Sequence, residues 1–121
     1  MSEEKRIVKS YEEEMQSLND DLVKMGSLTE SQLSDTIQAI VKIDKEAAEN
    51  IVKNDAQINE LRAKIDDQIS TVLVKRAPMA IDLRTTISSL KISHDLERIG
   101  DLAKSVAKKI EPLPIDLPPE L

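Results

Sequence analysis

Two short segments place oxygen-bearing side chains four residues apart. They are Asp55-Ala56-Gln57-Ile58-Asn59 and Glu97-Arg98-Ile99-Gly100-Asp101. On a helix the first and last residue of each would stack on one face. Two carboxylates at that spacing repel by about 0.2–0.5 kcal/mol on an exposed helix, and a cation between them reverses the sign. All-oxygen donors select hard cations, Mg²⁺, Mn²⁺ or iron, over copper and thiolate-seeking ions. Asp55 also stands where the Ile51–Ile58 stripe calls for an apolar residue, which is costly unless the acid is paired, hydrated or on a metal. The alternative for Asp55 is a salt bridge to Arg62, or to an arginine of a neighbouring helix such as Arg98. The alternative for Glu97 and Asp101 is a solvated face, because Arg98 is adjacent and Lys104 lies one turn on. Spacing alone favours the solvated face.

Other chemistry is sparse. With a single histidine, His94, a di-iron centre built from two Glu-x-x-His pairs cannot form. Ser89 and Ser93 fall inside a helical pattern with no Gly-x-Ser-x-Gly elbow to expose a nucleophile. Two isolated glycines cannot cradle a phosphate, and the absence of cysteine excludes disulfides, thiolate nucleophiles and Cys-based zinc sites. An enzyme is not expected. Seventeen basic against 23 acidic residues give a net charge of −6, and there is no Phe or Trp for base stacking. Nucleic-acid binding is therefore not expected. No stretch approaches the ~20 apolar residues of a bilayer span, nor does Met1-Ser-Glu-Glu-Lys-Arg resemble a signal peptide. A soluble, cytoplasmic protein is the expectation.

The elements that position these residues are helices. Two Gly and one aromatic argue against sandwiches, barrels and wound sheets, and 40% hydrophobic residues argue against a disordered chain. Ile7, Tyr11, Met15, Leu18, Leu22, Met25, Thr29, Leu33, Ile37, Ile40 and Ile43 keep three- and four-residue steps, and the phase survives Gly26. One long helix near 6–43 follows, with Ser2 as N-cap and Glu3 and Glu4 complementing its dipole. Asp44 opens a second helix near 45–76, on which Ala47, Ile51, Ile58, Ile65, Ile69 and Val72 share a face. Pro78 ends it and suits the first turn of a third helix near 79–110. That third helix carries two stripes: Ile81, Ile92, Leu96, Ile99, Ala103, Val106 and Ile110, and, almost opposite, Leu83, Ile87 and Leu90. A helix apolar on two sides must meet two surfaces, so self-association is expected, with Leu83, Ile87 or Leu90 near the contact. Short turns impose an up-down-up path: an all-α, elongated antiparallel three-helix bundle over 1–111, followed by a Pro-rich linker or tail over 112–121.

Pro78-Met79-Ala80-Ile81-Asp82-Leu83-Arg84 and Asp95-Leu96-Glu97-Arg98-Ile99-Gly100-Asp101 resemble the PhoU family. Met25-Gly26, Gln32-Leu33-Ser34-Asp35 and Asp55-x-x-Ile58-Asn59 match it in order and spacing. The resemblance extends to about Lys109. It implies a fold of two tandem three-helix bundles, of which this chain resembles the first, so the chain is a fragment, an excised domain or a single-repeat member. It also implies a cytoplasmic negative regulator of phosphate homeostasis, acting through the phosphate ABC transporter ATPase and a phosphate-sensing histidine kinase. The family's Glu/Asp-x-x-x-Asp metal motif would place Glu97 and Asp101 in full and Asp55 with Asn59 in part, Asn replacing the expected acid, around Mn, Mg or Fe ions. Two other readings stay open: a helical dimerisation module with neither metal nor signalling role, and an accessory domain of a different phosphate transporter.

Overall fold

The computed structural model describes residues 2–76 and 80–114. Three helices run up, down and up: α1 (Glu3–Lys42), α2 (Lys45–Arg76) and α3 (Ala80–Ile110). Among the described residues there is no strand. At 1.5 Å per residue, the 40 residues of α1 extend about 60 Å. The helix passes through Gly26 without a break, as the continuous phase of the stripe requires.

The helix ends are built from their predicted residues. Ser2 caps α1, its hydroxyl accepting from the Lys5 amide at 3.2 Å. At the other end Ile43 adopts the left-handed conformation (φ 50°, ψ 48°), the Ile43 amide donates to Ile40 O, and the Asp44 amide donates to Ala39 O. This is a Schellman ending made without glycine. Asp44 then caps α2 at once, Oδ1 accepting from the Ala47 amide at 3.0 Å. Two opposed caps within two residues force the chain to reverse. Pro78 and the start of the third helix at Met79 lie outside the described residues, as does the tail beyond Pro114.

The apolar core is divided. Leu18, Met25, Ile58, Leu61, Ile65 and Ile69 form one cluster, and Ala39, Ala48, Ile51, Ala107 and Ile110 form another. The row of α1 that faces the core is Leu18, Asp21, Met25, Thr29, Gln32, Thr36 and Ala39. The C-terminal half of the predicted stripe therefore turns outward: Leu33, Ile37 and Ile40 are exposed, Ile37 by 55%. On α3 the buried row is Thr86, Ser89, Ser93, Gly100, Ala103, Ala107 and Ile110. Among the described side chains of the longer predicted stripe, Leu96, Ala103 and Ile110 turn inward, while Ile92, Ile99 and Val106 flank the row on one side; Ile81 lies outside them. Leu83, Ile87 and Leu90 flank it on the other. The reason is steric. The large side chains of α1 and α2, Leu18, Met25, Ile58 and Ile65 among them, fill the space between the helices, and along most of its inner row α3 meets them with Ser, Thr, Ala and Gly. Gly100 marks a point of close approach, where an added Cβ would stand 3.3 Å from Ile58 Cδ1.

Candidate functional site

Between the two apolar clusters lies a polar layer drawn from all three helices. Asp55 of α2 is its centre, 1% exposed. Gln32 arrives from α1, and its Nε2 donates both to Asp55 Oδ1 and to the carbonyl of Gly100, each at 2.9 Å. Asn59, one turn along α2, donates from Nδ2 to Asp55 Oδ2 at 3.3 Å. Lys104 of α3 brings its ammonium to 3.5 Å from the same oxygen, a charge contact at a half-buried position. Thr36, next to Gln32 on the inner row of α1, satisfies its hydroxyl by donating to Gln32 O at 2.7 Å. Burial of an acid in this layer is tolerable because both of its oxygens are met by donors.

A second group lies one heptad further along. Arg62 NH1 is 3.2 Å from Glu97 Oε1, tying α2 to α3, while its Nε donates to both oxygens of Asp66 at 3.2 Å on the same helix. Asp55 is therefore held by Gln32, Asn59 and Lys104 and by neither Arg62 nor Arg98. Asp101, four residues after Glu97, is exposed. On the α1 side the buried Asp21 faces Lys64 Nζ at 3.1 Å, a charge contact whose angle falls short of a hydrogen bond.

The structure thus unites Asp55 and Asn59, gives Glu97 to Arg62, and leaves Asp101 at the surface. A hard cation needs carboxylate lone pairs that are open toward it. Here Asp55 Oδ1 is engaged by an amide, Oδ2 by an amide and an ammonium, and Asn59 turns its donor nitrogen, not its carbonyl oxygen, toward the acid. Among the described residues no group of three or more His, Cys, Asp or Glu is placed to hold a metal ion. The donor set presented by these residues does not fit a metal.

Gln32, Gly100 and Lys104 are the members of this layer that pattern analysis did not assign to it. Gln32 had a usable signal, since the steps Leu18, Asp21, Met25, Thr29, Gln32, Thr36 and Ala39 continue one heptad-like row. Following the next apolar residue, Leu33, departs from that row. The remaining chemistry candidates are accounted for locally. Ser89 Oγ donates to Thr85 O and Ser93 Oγ to Leu90 O, each at 2.9 Å, so both hydroxyls are spent on their own helix. His94 is exposed.

The sequence model of the PhoU domain matches residues 22–110, close to three-quarters of the chain and including every residue of the polar layer. The chain belongs to the PhoU domain family. The PhoU homologue of Caulobacter vibrioides, named as a phosphate-specific transport system accessory protein, is 40% identical over 102 residues. The alignment covers 84% of this chain and 44% of that protein. The corresponding protein of Rhizobium meliloti is 34% identical over 104 residues, covering 86% of this chain and 44% of its own length. The crystal structure of PhoU from Pseudomonas aeruginosa superposes with a TM-score of 0.81 at 37% identity, covering 84% of this chain and 48% of that one. The PhoU bundle described here thus spans about half the length of the relatives it matches. Among its described residues, no helix is long and apolar enough to cross a membrane.

Proposed function

We propose that this PhoU bundle is a cytoplasmic accessory regulator of phosphate uptake that acts by protein contact, restraining the phosphate-specific transporter and its starvation signalling when phosphate is plentiful. The observation that carries the reading is the distribution of apolar surface. Around Asp55 the polar side chains turn inward and bond one another, whereas two rows of branched side chains point outward. Asp21 with Lys64, and Ser17 with Gln68, mark the side of α1 that faces α2. Leu33, Ile37 and Ile40 lie on its other flank, at about 100° per residue. On α3, Glu97 and Lys104 mark the α2 side, and Ile92, Ile99 and Val106 lie opposite. Gln32 bonds to Gly100, so α1 and α3, which run parallel, set Leu33 and Ile37 level with Ile99 and Val106. The two rows make one apolar face along the α1/α3 groove. Leu83, Ile87 and Leu90 form a separate flank beside α2.

A continuous apolar face of this kind is a protein-contact surface. The chain spans about half of its relatives' length, and the occupant we assign to the face is a second bundle of the same kind, which a second copy of this chain can supply. The homo-oligomer would then dock the transporter ATPase and the phosphate-sensing kinase. Binding of the purified protein to each of these two partners is the test, measured by pull-down and by biosensor with and without phosphate. Capture of either supports the regulatory reading. Capture of neither, with self-association intact, leaves a dimerisation module and overturns it.

A further inference from the structure

The ion pairs between α2 and α3 have a regular arrangement. Asp55 meets Lys104 and Arg62 meets Glu97. The two positions on α2 are seven apart, as are the two on α3, and the helices are antiparallel, so these are consecutive rungs of one ladder. Their polarity alternates. The first rung has its acid on α2 and its cation on α3, and the second has the reverse. A slip of one heptad would set Asp55 beside Glu97 in one direction, or Arg62 beside Lys104 in the other, juxtaposing like charges. Apolar rows alone do not reject such a slip, because a seven-residue shift returns a helix nearly to the same face.

We propose that this crossed pair of ion pairs, closed by Gln32 from α1, is a built-in substitute for a metal. Lys104 and Arg62 supply the positive charge that would otherwise have to come from a cation, and the bundle holds its helix register without one. Each part of the layer supports this. Lys104 reaches Asp55 from the turn after Gly100, where the missing side chain lets the two helices come close. Asn59 stands where a second acid would be needed for a doubly charged site, and it donates a hydrogen bond to Asp55, which a carboxylate could not do. Gln32 ties the acid on α2 to a backbone carbonyl of α3, so all three helices meet at one carboxylate.

The test uses the full chain, dialysed against a chelator and unfolded thermally in MnCl₂ or in NaCl of matched ionic strength, with calorimetric titration of Mn²⁺ alongside. The wild type is expected to melt at the same temperature in both salts and to show no saturable heat. Lys104→Met removes the built-in cation and should lower Tm by roughly 5 °C or more, since the acid it leaves is buried. Lys104→Met combined with Asn59→Asp restores the second acid and should gain a Mn²⁺-specific rise in Tm that the wild type lacks. The proposal is overturned by saturable Mn²⁺ binding with a raised Tm in the wild type, by a Lys104→Met variant that melts like the wild type, or by a folded double variant indifferent to Mn²⁺. Should the double variant not fold, the wild type and the single variant decide.

Discussion

Gln32→Leu is the most informative single substitution. It keeps a side chain of similar size at a buried position and deletes one amide group. The amide makes two bonds, each 2.9 Å long, one to a buried carboxylate and one to a backbone carbonyl. A hydrogen bond to a charged group contributes about 1.5–3 kcal/mol, and a neutral one about 0.5–1.5 kcal/mol. The carbonyl of Gly100 lies within α3 and retains its helical donor, so its loss belongs at the low end. Asp55 keeps Asn59 and Lys104, but its Oδ1 loses the Gln32 amide that donates to it. The apolar gain from leucine offsets about a third of the loss at ~25 cal/mol per Å². A net destabilisation of about 2 kcal/mol follows, measured as a lower midpoint at unchanged slope in urea unfolding. The triple variant Gln32→Leu/Asp55→Leu/Lys104→Met removes the acid with Gln32 and Lys104, leaves the exposed Asn59 to water, and should recover to within about 1 kcal/mol of the wild type, because no buried charge is left unmet. A Gln32→Leu protein as stable as the wild type, or a triple variant less stable than the single one, refutes the view that these donors are what make Asp55 tolerable.

Gly26→Ala should raise stability by about 0.5–1 kcal/mol in the same assay, since the residue is mid-helix and an added Cβ meets nothing within 4 Å. Ser93→Leu should cost about 1–3 kcal/mol by overpacking the axis, although leucine is the better helix former; a neutral result would show that the small-residue row of α3 is not sterically required. Sedimentation at ~10–100 μM should find a dimer or higher oligomer, a range matched to micromolar dissociation constants of about −8 kcal/mol. Ile37→Glu with Ile99→Glu should return it to monomer, whereas a wild type monomeric throughout, or a variant that still dimerises, would show that the α1/α3 face is not the contact.

The helices were legible from the chain alone because their causes are local. The unbroken phase across Gly26, Ser2 with two glutamates behind it, and Asp44 as a cap each act within one or two turns, and α1 and the start of α2 fall where those signals place them. Up-down-up order followed from the short connection at Ile43 and Asp44. The oddity of Asp55 was legible too, since an acid in the Ile51–Ile58 row breaks a local period. Its partners were not. Gln32 is 23 residues away and Lys104 is 49, on two other helices; the row of α1 marks Gln32 as inward-facing, but nothing in either neighbourhood says that the two meet Asp55. Which row of α3 faces the axis was likewise a tertiary decision. By hydrophobicity the isoleucines should be inside. In the folded bundle Ser89, Ser93, Gly100, Ala103 and Ala107 take that place, because the large side chains of α1 and α2 already fill the space they face. Local pattern therefore determines where a helix is, and the separation and register of its neighbours determine which of its faces is the core and whether a buried acid meets a lysine or needs an ion.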